Sequence, residues 1–447
     1  MSNVFKRLWS SDKSNIVKSK DIIVEEIQEY QPFNPFTQLL FLEQHTDIVR
    51  LLLKVDLKRC VSAADDNLAV VWDIQFGYKL VTLSGHTRPI TCMIKLDVRG
   101  DNSVCLVTGS SDKQIRIWNL DTGDCLYVLT QHQSSVKCLL MLDNAKWFCS
   151  GGETICLWNN KGQLLTSYRE ESSESAVNSL ISIRNGRLVA ATDRHLDVFS
   201  LSKSENTITL SLIKRLPPHR EPIKCLLSIT DDQFASASLD GTIKLWRTDT
   251  LLSNRYFNSI TEEYQGADRT FPFSVEKMIC FQQKYLVAAI GSGFSIYNCQ
   301  SGQTILKKEH AHHSKINDLC FTCDGLYLAT TSVDGSIRLW SCIDAIKHCI
   351  DGAINPRNSK LVKESLSSDD SNTISLYKIW FSSETAISLV GECLAHSGSV
   401  QVLLDCDNES IISCDVDGLV IVWKNESIQM MKRSHVLQAT SFCDGIV

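Results

Sequence analysis

Histidine, a hydroxyl residue and aspartate recur with matching spacing along the 447-residue chain, and such a set of side chains could perform hydrolysis. In that chemistry the aspartate orients the histidine, and the histidine removes the proton from the attacking hydroxyl group. A tryptophan follows each aspartate by six residues. The five complete sets are His45, Ser62, Asp66 and Trp72; His86, Thr108, Asp112 and Trp118; His219, Ser236, Asp240 and Trp246; His312, Thr330, Asp334 and Trp340; and His396, Ser413, Asp417 and Trp423.

The repetition of this set favours an architectural role over catalysis. A catalytic site is needed once, in one concave pocket, whereas this set recurs at one position of a repeated unit. Its four side chains can form a closed relay of hydrogen-bond donors and acceptors, which keeps buried polar groups satisfied. Cys320 and Cys323 lack a second cysteine pair at the spacing of a zinc site. We therefore predict a structural relay in a protein that is not an enzyme and has neither a metal site nor a cofactor.

The elements that carry the relay are predicted to be short strands. Each tryptophan ends a stretch of alternating apolar residues, such as 68–72 or 114–118, and this alternation is typical of a β-strand. Two intervals between tryptophans are of double length, and in each an aromatic residue, Phe199 or Tyr297, stands where a tryptophan is due. The sequence therefore divides into eight units.

These units resemble the WD-repeat family, whose units pair Gly-His near the start with Trp-Asp at the end. Gly85-His86 and Trp72-Asp73 match that pattern literally. The resemblance covers about residues 38 to 424, with about 43 residues per unit once an insertion is set aside, as expected for a four-stranded blade. It implies an all-β fold, an eight-bladed WD40 β-propeller. We predict that a strand around residues 39–42 completes the last blade, because an open sheet edge invites aggregation.

The predicted domain organisation is a flexible N-terminal tail (1–37), a propeller (38–431) and a C-terminal tail with helix-like apolar spacing (432–447). Residues 341–383 are predicted to be a long loop inserted in blade seven. A ninth blade is the alternative, because Trp380 follows Trp340 by 40 residues, but no histidine unit precedes it. Between Leu251 and Val275 a second insertion is predicted, and its aromatic residues either fold onto the neighbouring blade or form a binding surface.

Charge and hydropathy exclude some partners. The net charge of -6 provides no field that would attract nucleic acid or an acidic membrane. No run of apolar residues approaches the roughly 18 that a spanning helix needs. We therefore expect no nucleic-acid partner, and we expect recruitment to membranes only through other proteins.

The stretches 37–53, 62–72 and 135–139 resemble one branch of the WD-repeat family more closely than the family at large. That resemblance implies a non-catalytic, cytoplasmic scaffold that joins two longin/DENN-domain proteins. Their complex acts on small GTPases and regulates autophagy, and the propeller recruits it to lysosomes through a cationic amino acid transporter. Carried over by position, the transporter-binding residues are Tyr377, Ile379, Trp380 and Phe381.

Two further expectations concern partners. The apolar residues Val436, Leu437 and Phe442 are candidates for docking a DENN-domain partner, with burial against the propeller itself as the alternative. A substrate receptor of a cullin-type ubiquitin ligase is the second functional class, but the Trp-Asp-x-Arg motif of that class is missing. Trp72-Asp73 is followed by Ile74 and Gln75.

Overall fold

The computed structural model describes residues 34–97, 104–142, 146–169, 176–203, 208–258, 273–323, 325–341, 387–406 and 410–425. These residues form 32 strands and no helix. The strands form eight antiparallel sheets of four strands each. Each sheet is one blade.

The first strand of the described residues is β1 (Phe36–Glu43), which is the outermost strand of blade eight. The other blades follow in chain order, and their strands are given from the innermost outwards. Blade one contains β2 (Val49–Lys54), β3 (Arg59–Ala64), β4 (Ala69–Asp73) and β5 (Tyr78–Leu83). Blade two contains β6 (Ile90–Asp97), β7 (Val104–Ser110), β8 (Ile115–Asn119) and β9 (Cys125–Leu129). Blade three contains β10 (Cys138–Leu142), β11 (Trp147–Gly151), β12 (Thr154–Asn159) and β13 (Leu164–Arg169). Blade four contains β14 (Val177–Ile183), β15 (Arg187–Thr192), β16 (His195–Lys203) and β17 (Ile208–Leu216).

The second half of the ring has the same organisation. Blade five contains β18 (Ile223–Thr230), β19 (Gln233–Ser238), β20 (Thr242–Arg247) and β21 (Ser253–Asn258). Blade six contains β22 (Val275–Phe281), β23 (Tyr285–Ile290), β24 (Gly293–Asn298) and β25 (Thr304–Lys308). Blade seven contains β26 (Ile316–Thr322), β27 (Tyr327–Ser332), β28 (Ile337–Ser341) and β29 (Ser388–Cys393). Blade eight contains β30 (Val400–Cys406), β31 (Ser410–Asp415), β32 (Leu419–Asn425) and β1.

The ring is closed by a strand from the start of the chain. β1 pairs antiparallel with β32, with Phe36 opposite Asn425 and Leu42 opposite Val420. The innermost strands contact their neighbours around the ring, and β2 contacts β30 of blade eight. The predicted eight-bladed propeller and its closure by an N-terminal strand are confirmed.

The core lies between the faces of neighbouring blades. Trp118 of blade two, which is 1% exposed, packs with Val61 and Val71 of blade one. Trp72 packs in the same way against Ile412 and Val422 of blade eight. Because the middle strands are covered on both faces, nearly all their residues are buried, whereas the outer strands keep an exposed face.

Glycine at the turn between the third and outer strands lets one blade approach the next. Gly123 has a φ of +81°, which few other residues adopt, and a Cβ atom there would lie 2.5 Å from Val81 Cγ1 of blade one. Gly162, with a φ of +74°, packs in the same manner on Leu129 of blade two. A side chain at either turn would push the two blades apart.

Two insertions were predicted, and their surroundings are now defined. β28 ends at Ser341 and pairs with β29, which begins at Ser388, so the intervening segment belongs to blade seven. The described residues form eight blades and no ninth. The prediction that everything between Leu251 and Val275 is inserted is wrong in part, because Ser253–Asn258 is β21, the outer strand of blade five. Its sequence shows no apolar alternation, because its only large apolar residues, Tyr256 and Phe257, are adjacent.

Candidate functional site

The predicted relay is assembled in blade one. The Nδ1 atom of His45 lies 2.8 Å from Asp66 Oδ2, and its Nε2 atom lies 2.8 Å from Ser62 Oγ. Trp72 Nε1 donates to the same Ser62 Oγ at 2.7 Å. The loop before the innermost strand positions the histidine, and the other three residues come from β3, the turn after it and β4. We call the end of the ring that holds these histidines and aspartates the relay end.

The donors and acceptors fix the direction of the relay. An indole N–H can only donate and an ionised carboxylate can only accept. The hydroxyl therefore accepts from tryptophan and donates to histidine Nε2, and histidine Nδ1–H donates to aspartate. In blade two, burial lowers the pKa of His86 below its ordinary value, against the opposing effect of Asp112. Burial alone would raise the pKa of Asp112, but hydrogen bonds from His86 and from backbone N–H groups hold it below its ordinary value. The pair is therefore a neutral histidine and an ionised aspartate.

The hydroxyl groups of the relay are inaccessible to a substrate. Each of the five complete sets has a hydroxyl residue that is 0% exposed; these are Ser62, Thr108, Ser236, Thr330 and Ser413. A nucleophile must reach the atom that it attacks, at about 3 Å. The geometry that resembles a hydrolase triad therefore acts as a clamp between strands.

The relay differs in detail between blades. In blade two His86 contacts Asp112 and Thr108 directly, each at 2.8 Å. In blade five His219 Nδ1 instead contacts Thr242 Oγ1 at 3.0 Å, and that hydroxyl donates to Asp240 Oδ1 at 2.5 Å. Asp240 is thus brought to the relay through a second hydroxyl and does not contact His219 itself.

Blade seven is intermediate between these two arrangements. His312 Nδ1 lies 3.2 Å from Asp334 Oδ2 and 3.0 Å from Ser336 Oγ. Its Nε2 atom lies 2.8 Å from Thr330 Oγ1, to which Trp340 Nε1 donates at 3.0 Å. A hydroxyl residue two positions after the aspartate is common to blades five and seven, and it accounts for the altered contact.

The assignment of Asp417 to the relay of blade eight is wrong. His396 Nδ1 lies 2.7 Å from Asp415 Oδ2, whereas Asp417 accepts a hydrogen bond from Ser397 Oγ at 2.6 Å near the surface. Asp415 is the last residue of β31 and is 0% exposed. Asp415 lies on the strand itself, two residues before the expected position. From there its carboxylate is the one that hydrogen-bonds His396. Ser413 and Trp423 occupy their predicted places in this blade.

Blade three has an incomplete relay. His132 Nε2 contacts Ser150 Oγ at 2.7 Å, and Trp158 Nε1 donates to the same hydroxyl at 2.8 Å. No residue that the structure describes forms a hydrogen bond with His132 Nδ1, which is buried. Gly152 lies where other blades carry the aspartate, and burial lowers the pKa of His132 to about 4. Within the described residues, blade three therefore holds a buried polar atom without a hydrogen-bond partner.

A cation two residues before the tryptophan is a part of the site that sequence reasoning missed. Arg338 donates to Ala311 O, immediately before His312, at 2.6 Å, and Lys244 donates to Pro218 O, immediately before His219, at 2.7 Å. Lys244 also lies over the ring of Trp246 at 5.8 Å. These side chains hold the histidine loop over the relay. The only signal in the sequence is a cation within an otherwise apolar strand.

The predicted partner-binding residues lie outside the described residues. Tyr377, Ile379, Trp380 and Phe381 fall within 342–386, and Val436, Leu437 and Phe442 fall within 426–447. The structure does define where those segments leave the ring.

The aromatic residues that follow Leu251 divide between two environments. Phe257 is 5% exposed and stacks on Tyr297 of blade six at 4.3 Å between ring centroids, and Phe273 packs against the same core. Tyr256 is 62% exposed. The first two are folded onto the neighbouring blade, and Tyr256 remains at the surface.

The described part of the chain offers neither a cluster of metal ligands nor a membrane-spanning helix. No cluster of three or more histidine, cysteine, aspartate or glutamate side chains could hold a metal ion there. No helix in that part is long and apolar enough to cross a membrane.

The closed ring of four-stranded blades and the repeated relay define a WD-repeat β-propeller. A family model of the WDR41 β-propeller matches residues 6–433, and the chain belongs to that family. The human WD repeat-containing protein 41 is 29% identical over 425 residues, and the mouse protein of that name is 31% identical over 431 residues. Each alignment covers 90% of this chain and 90% of the relative.

More distant similarities concern the propeller alone. Rat apoptotic protease-activating factor 1 is 26% identical over 140 residues, which are 29% of this chain and 10% of that protein. The crystal structure of the computationally designed Ika8 protein superposes with a TM-score of 0.61 at 22% identity, covering 86% of this chain and 98% of that one. This similarity shows the fold alone.

Proposed function

We propose that this WD-repeat scaffold is the non-catalytic subunit of a complex with two longin/DENN-domain proteins. The complex acts on small GTPases and regulates autophagy. The propeller brings it from the cytoplasm to lysosomes through a cationic amino acid transporter. The family resemblance supports the identity of these partners. The structural observation that carries the proposal is that three segments of the chain leave the ring at the same end.

The three segments leave from the same end of neighbouring blades. β28 and β32 are the third strands of blades seven and eight, so they run in the same direction and end on the same side. The segment 342–386 follows Ser341, and the C-terminal segment follows Asn425. Phe36 pairs with Asn425, so the N-terminal segment enters there too. This end is opposite to the relay end, and two partners can therefore engage adjacent blades without disturbing the relay.

The outer face of β1 supports docking of a DENN-domain protein at this seam. Leu39 and Phe41 are 36% and 46% exposed, whereas Leu42, which belongs to the other face of the strand, is buried. Apolar side chains grouped on an exposed strand are typical of an interface. In this proposal Val436, Leu437 and Phe442 dock the partner together with this strand.

The transporter contact is assigned to Tyr377, Ile379, Trp380 and Phe381. Large apolar side chains that enter a cavity are the usual anchors of an interface. The strands on either side of the segment are already paired, with Ser341 opposite Ser388. Changes within the segment therefore leave the blade's hydrogen bonds in place.

Affinity purification of the tagged full-length chain from cells tests the proposal. We expect two DENN-domain proteins to copurify in near-stoichiometric amounts. Recovery of a cullin ligase adaptor without DENN-domain proteins would contradict it. The structure does not favour the ligase function. Trp72-Asp73 lacks the arginine of the Trp-Asp-x-Arg motif, and Asp73 Oδ1 instead accepts the backbone N–H groups of Gln75 and Phe76 in a turn.

A further inference from the structure

The mouth of the central channel at the relay end is lined by a polar ring. Seven of the eight inner strands begin with a buried apolar residue that is followed by a polar one, and in blade three the equivalent pair, Val136 and Lys137, directly precedes β10. The second residues of these eight pairs are Arg50, Thr91, Lys137, Asn178, Lys224, Glu276, Asn317 and Gln401. All eight are polar, although the strands below them are mainly apolar. The ring is therefore a distinct surface, which we call the channel mouth.

One part of the channel mouth is neutralised within the chain. Arg50 forms a salt bridge with Asp65 at 2.7 Å, and Glu276 forms one with Lys315 at 2.8 Å. Asn317 Nδ2 donates to Ser399 Oγ and to a backbone carbonyl of blade eight. The sector formed by blades six, seven, eight and one thus has internal partners for its polar groups.

The sector over blades three to five carries cations that lack such partners. Lys137 Nζ donates to the neutral Asn178 Oδ1 at 2.9 Å, and no carboxylate in the described part of the chain pairs with it. The exposed side chains of Lys224 and Arg220 form no hydrogen bond or ion pair with any described residue. Exposed cations gathered at one mouth create a local positive potential that attracts an anionic ligand.

Two of the neighbouring carboxylates already have cationic partners, whereas Glu221 follows Arg220 and offsets its charge, so the positive charge of this sector rests on Lys137 and Lys224. Glu153 forms a salt bridge with Arg169 at 3.4 Å, and Asp193 lies 3.6 Å from Arg194. The net charge of the whole chain is -6, so a long polyanion such as nucleic acid meets repulsion beyond this sector. A short anionic segment does not extend that far.

We propose that the channel mouth over blades three to five binds an extended aspartate- or glutamate-rich peptide segment of a partner protein. Carboxylates spaced along the peptide pair with Lys137 and Lys224. Asn178 lies between these lysines on blade four, and its Nδ2 atom can donate to a peptide carbonyl, which favours a polypeptide over another polyanion. This surface lies at the opposite end of the ring from the segments assigned to the DENN-domain proteins and the transporter.

Fluorescence anisotropy with a labelled short peptide of alternating glutamate and serine tests the proposal on the purified full chain. We expect binding that weakens between low and physiological ionic strength, about 0.15 M. A peptide of alternating glutamine and serine is expected not to bind. The double variant Lys137→Gln/Lys224→Gln should lose about two- to thirtyfold in affinity, because two exposed ion pairs are removed.

Lys58→Gln/Lys161→Gln is the matched control. It removes the same charge from two exposed turns at the opposite end of the ring, so it should bind as the wild type does. Equal losses in the two double variants would overturn the proposal, because only net charge would then matter. Tighter binding of single-stranded DNA with the same dependence on Lys137 and Lys224 would also overturn it.

The chain's own acidic segment 170–175, which connects β13 to β14, is the competing occupant. If the wild type binds no peptide but Glu170→Gln/Glu171→Gln/Glu174→Gln does, that segment occupies the cations and the proposal is wrong. If neither binds, it is wrong as well. Circular dichroism and thermal melting of every variant establish that the propeller is intact.

Discussion

Asp415 and Asp417 lie two residues apart, and the structure predicts opposite consequences for their removal. Asp415 Oδ2 accepts from His396 Nδ1, and its Oδ1 accepts from the backbone N–H groups of Asp417 and Leu419, each at 2.9 Å. Asp417 accepts one side-chain hydrogen bond, from Ser397. The two variants Asp415→Ala and Asp417→Ala are therefore matched in chemistry and differ in burial.

The expected loss in the free energy of unfolding follows from the number of hydrogen-bond donors that each variant leaves without an acceptor. A buried donor without a partner costs about 1–3 kcal/mol. Asp415→Ala strands three donors, and because such costs are not fully additive we expect a loss of about 3–5 kcal/mol in the free energy of unfolding. Asp417→Ala removes one contact near the surface, which is expected to cost within about 0.5 kcal/mol.

A second variant tests the direction of the relay. Asp415→Asn keeps the shape of the side chain but places an amide N–H2 or a neutral oxygen opposite His396 Nδ1. A neutral acceptor is weaker than a carboxylate by roughly a factor of two. We expect Asp415→Asn to lie between the wild type and Asp415→Ala in stability.

Urea or guanidinium denaturation followed by tryptophan fluorescence provides the assay, with thermal melting as a second measurement. At about 1–2 °C per kcal/mol for a chain of this size, the melting temperature of Asp415→Ala should fall by about 3–10 °C. If Asp417→Ala destabilises the protein as much as Asp415→Ala does, the assignment of the relay in blade eight is refuted.

Three further predictions concern acid, a seam between blades and the C-terminal segment. Burial lowers the pKa of His132 and of His219 to about 4. Between pH 6.5 and 4 the folded state therefore binds fewer protons than the unfolded state, so each histidine should lower the free energy of unfolding by about 2 kcal/mol at pH 5. Denaturation at pH 7 and at pH 5 measures this loss. Equal stability at both pH values would contradict this. Asp318 accepts the N–H groups of Leu319 and Leu403, so Asp318→Ala should lower the free energy of unfolding by about 2–4 kcal/mol, and an unchanged midpoint in urea would contradict it. Truncation after Asn425 should leave the thermal transition intact and abolish copurification of the DENN-domain proteins; their retention would remove the docking assignment at the seam.

The sequence predicts the blades because five of the eight repeat the same polar spacing and the others keep the alternating strands at the same interval. His45, Ser62, Asp66 and Trp72 form the predicted relay for this reason. The closing strand is predictable because its apolar run precedes the first histidine with no partner nearby in sequence.

The details that the sequence misses depend on distances of a few ångströms. Asp417 satisfies the spacing found in the other blades, yet the course of β31 brings the carboxylate of Asp415 to His396 instead. Thr242 enters the relay of blade five because its hydroxyl lies between His219 and Asp240. The spacing of residues along the chain does not contain this information.

Outer strands are the other part that sequence reasoning describes poorly. The sequence predicts an insertion at Ser253–Asn258, which is a regular outer strand. Its sequence contains two large apolar residues, Tyr256 and Phe257, and these are adjacent rather than alternating. Packing between blades, rather than local pattern, determines where these strands lie.

Recruitment of the DENN-domain partners to lysosomes tests the central claim most directly, because a scaffold must carry its partners to a place where they do not go alone. Cells that lack the endogenous protein should be complemented with the wild type or with a variant in which Tyr377, Ile379, Trp380 and Phe381 are replaced by serine. The lysosomal fraction of a DENN-domain partner is then measured by imaging and by lysosome immunopurification. We expect the variant to fold and to copurify both partners, while their lysosomal fraction falls to the level of cells without the protein. Undiminished recruitment by a folded variant would contradict the account.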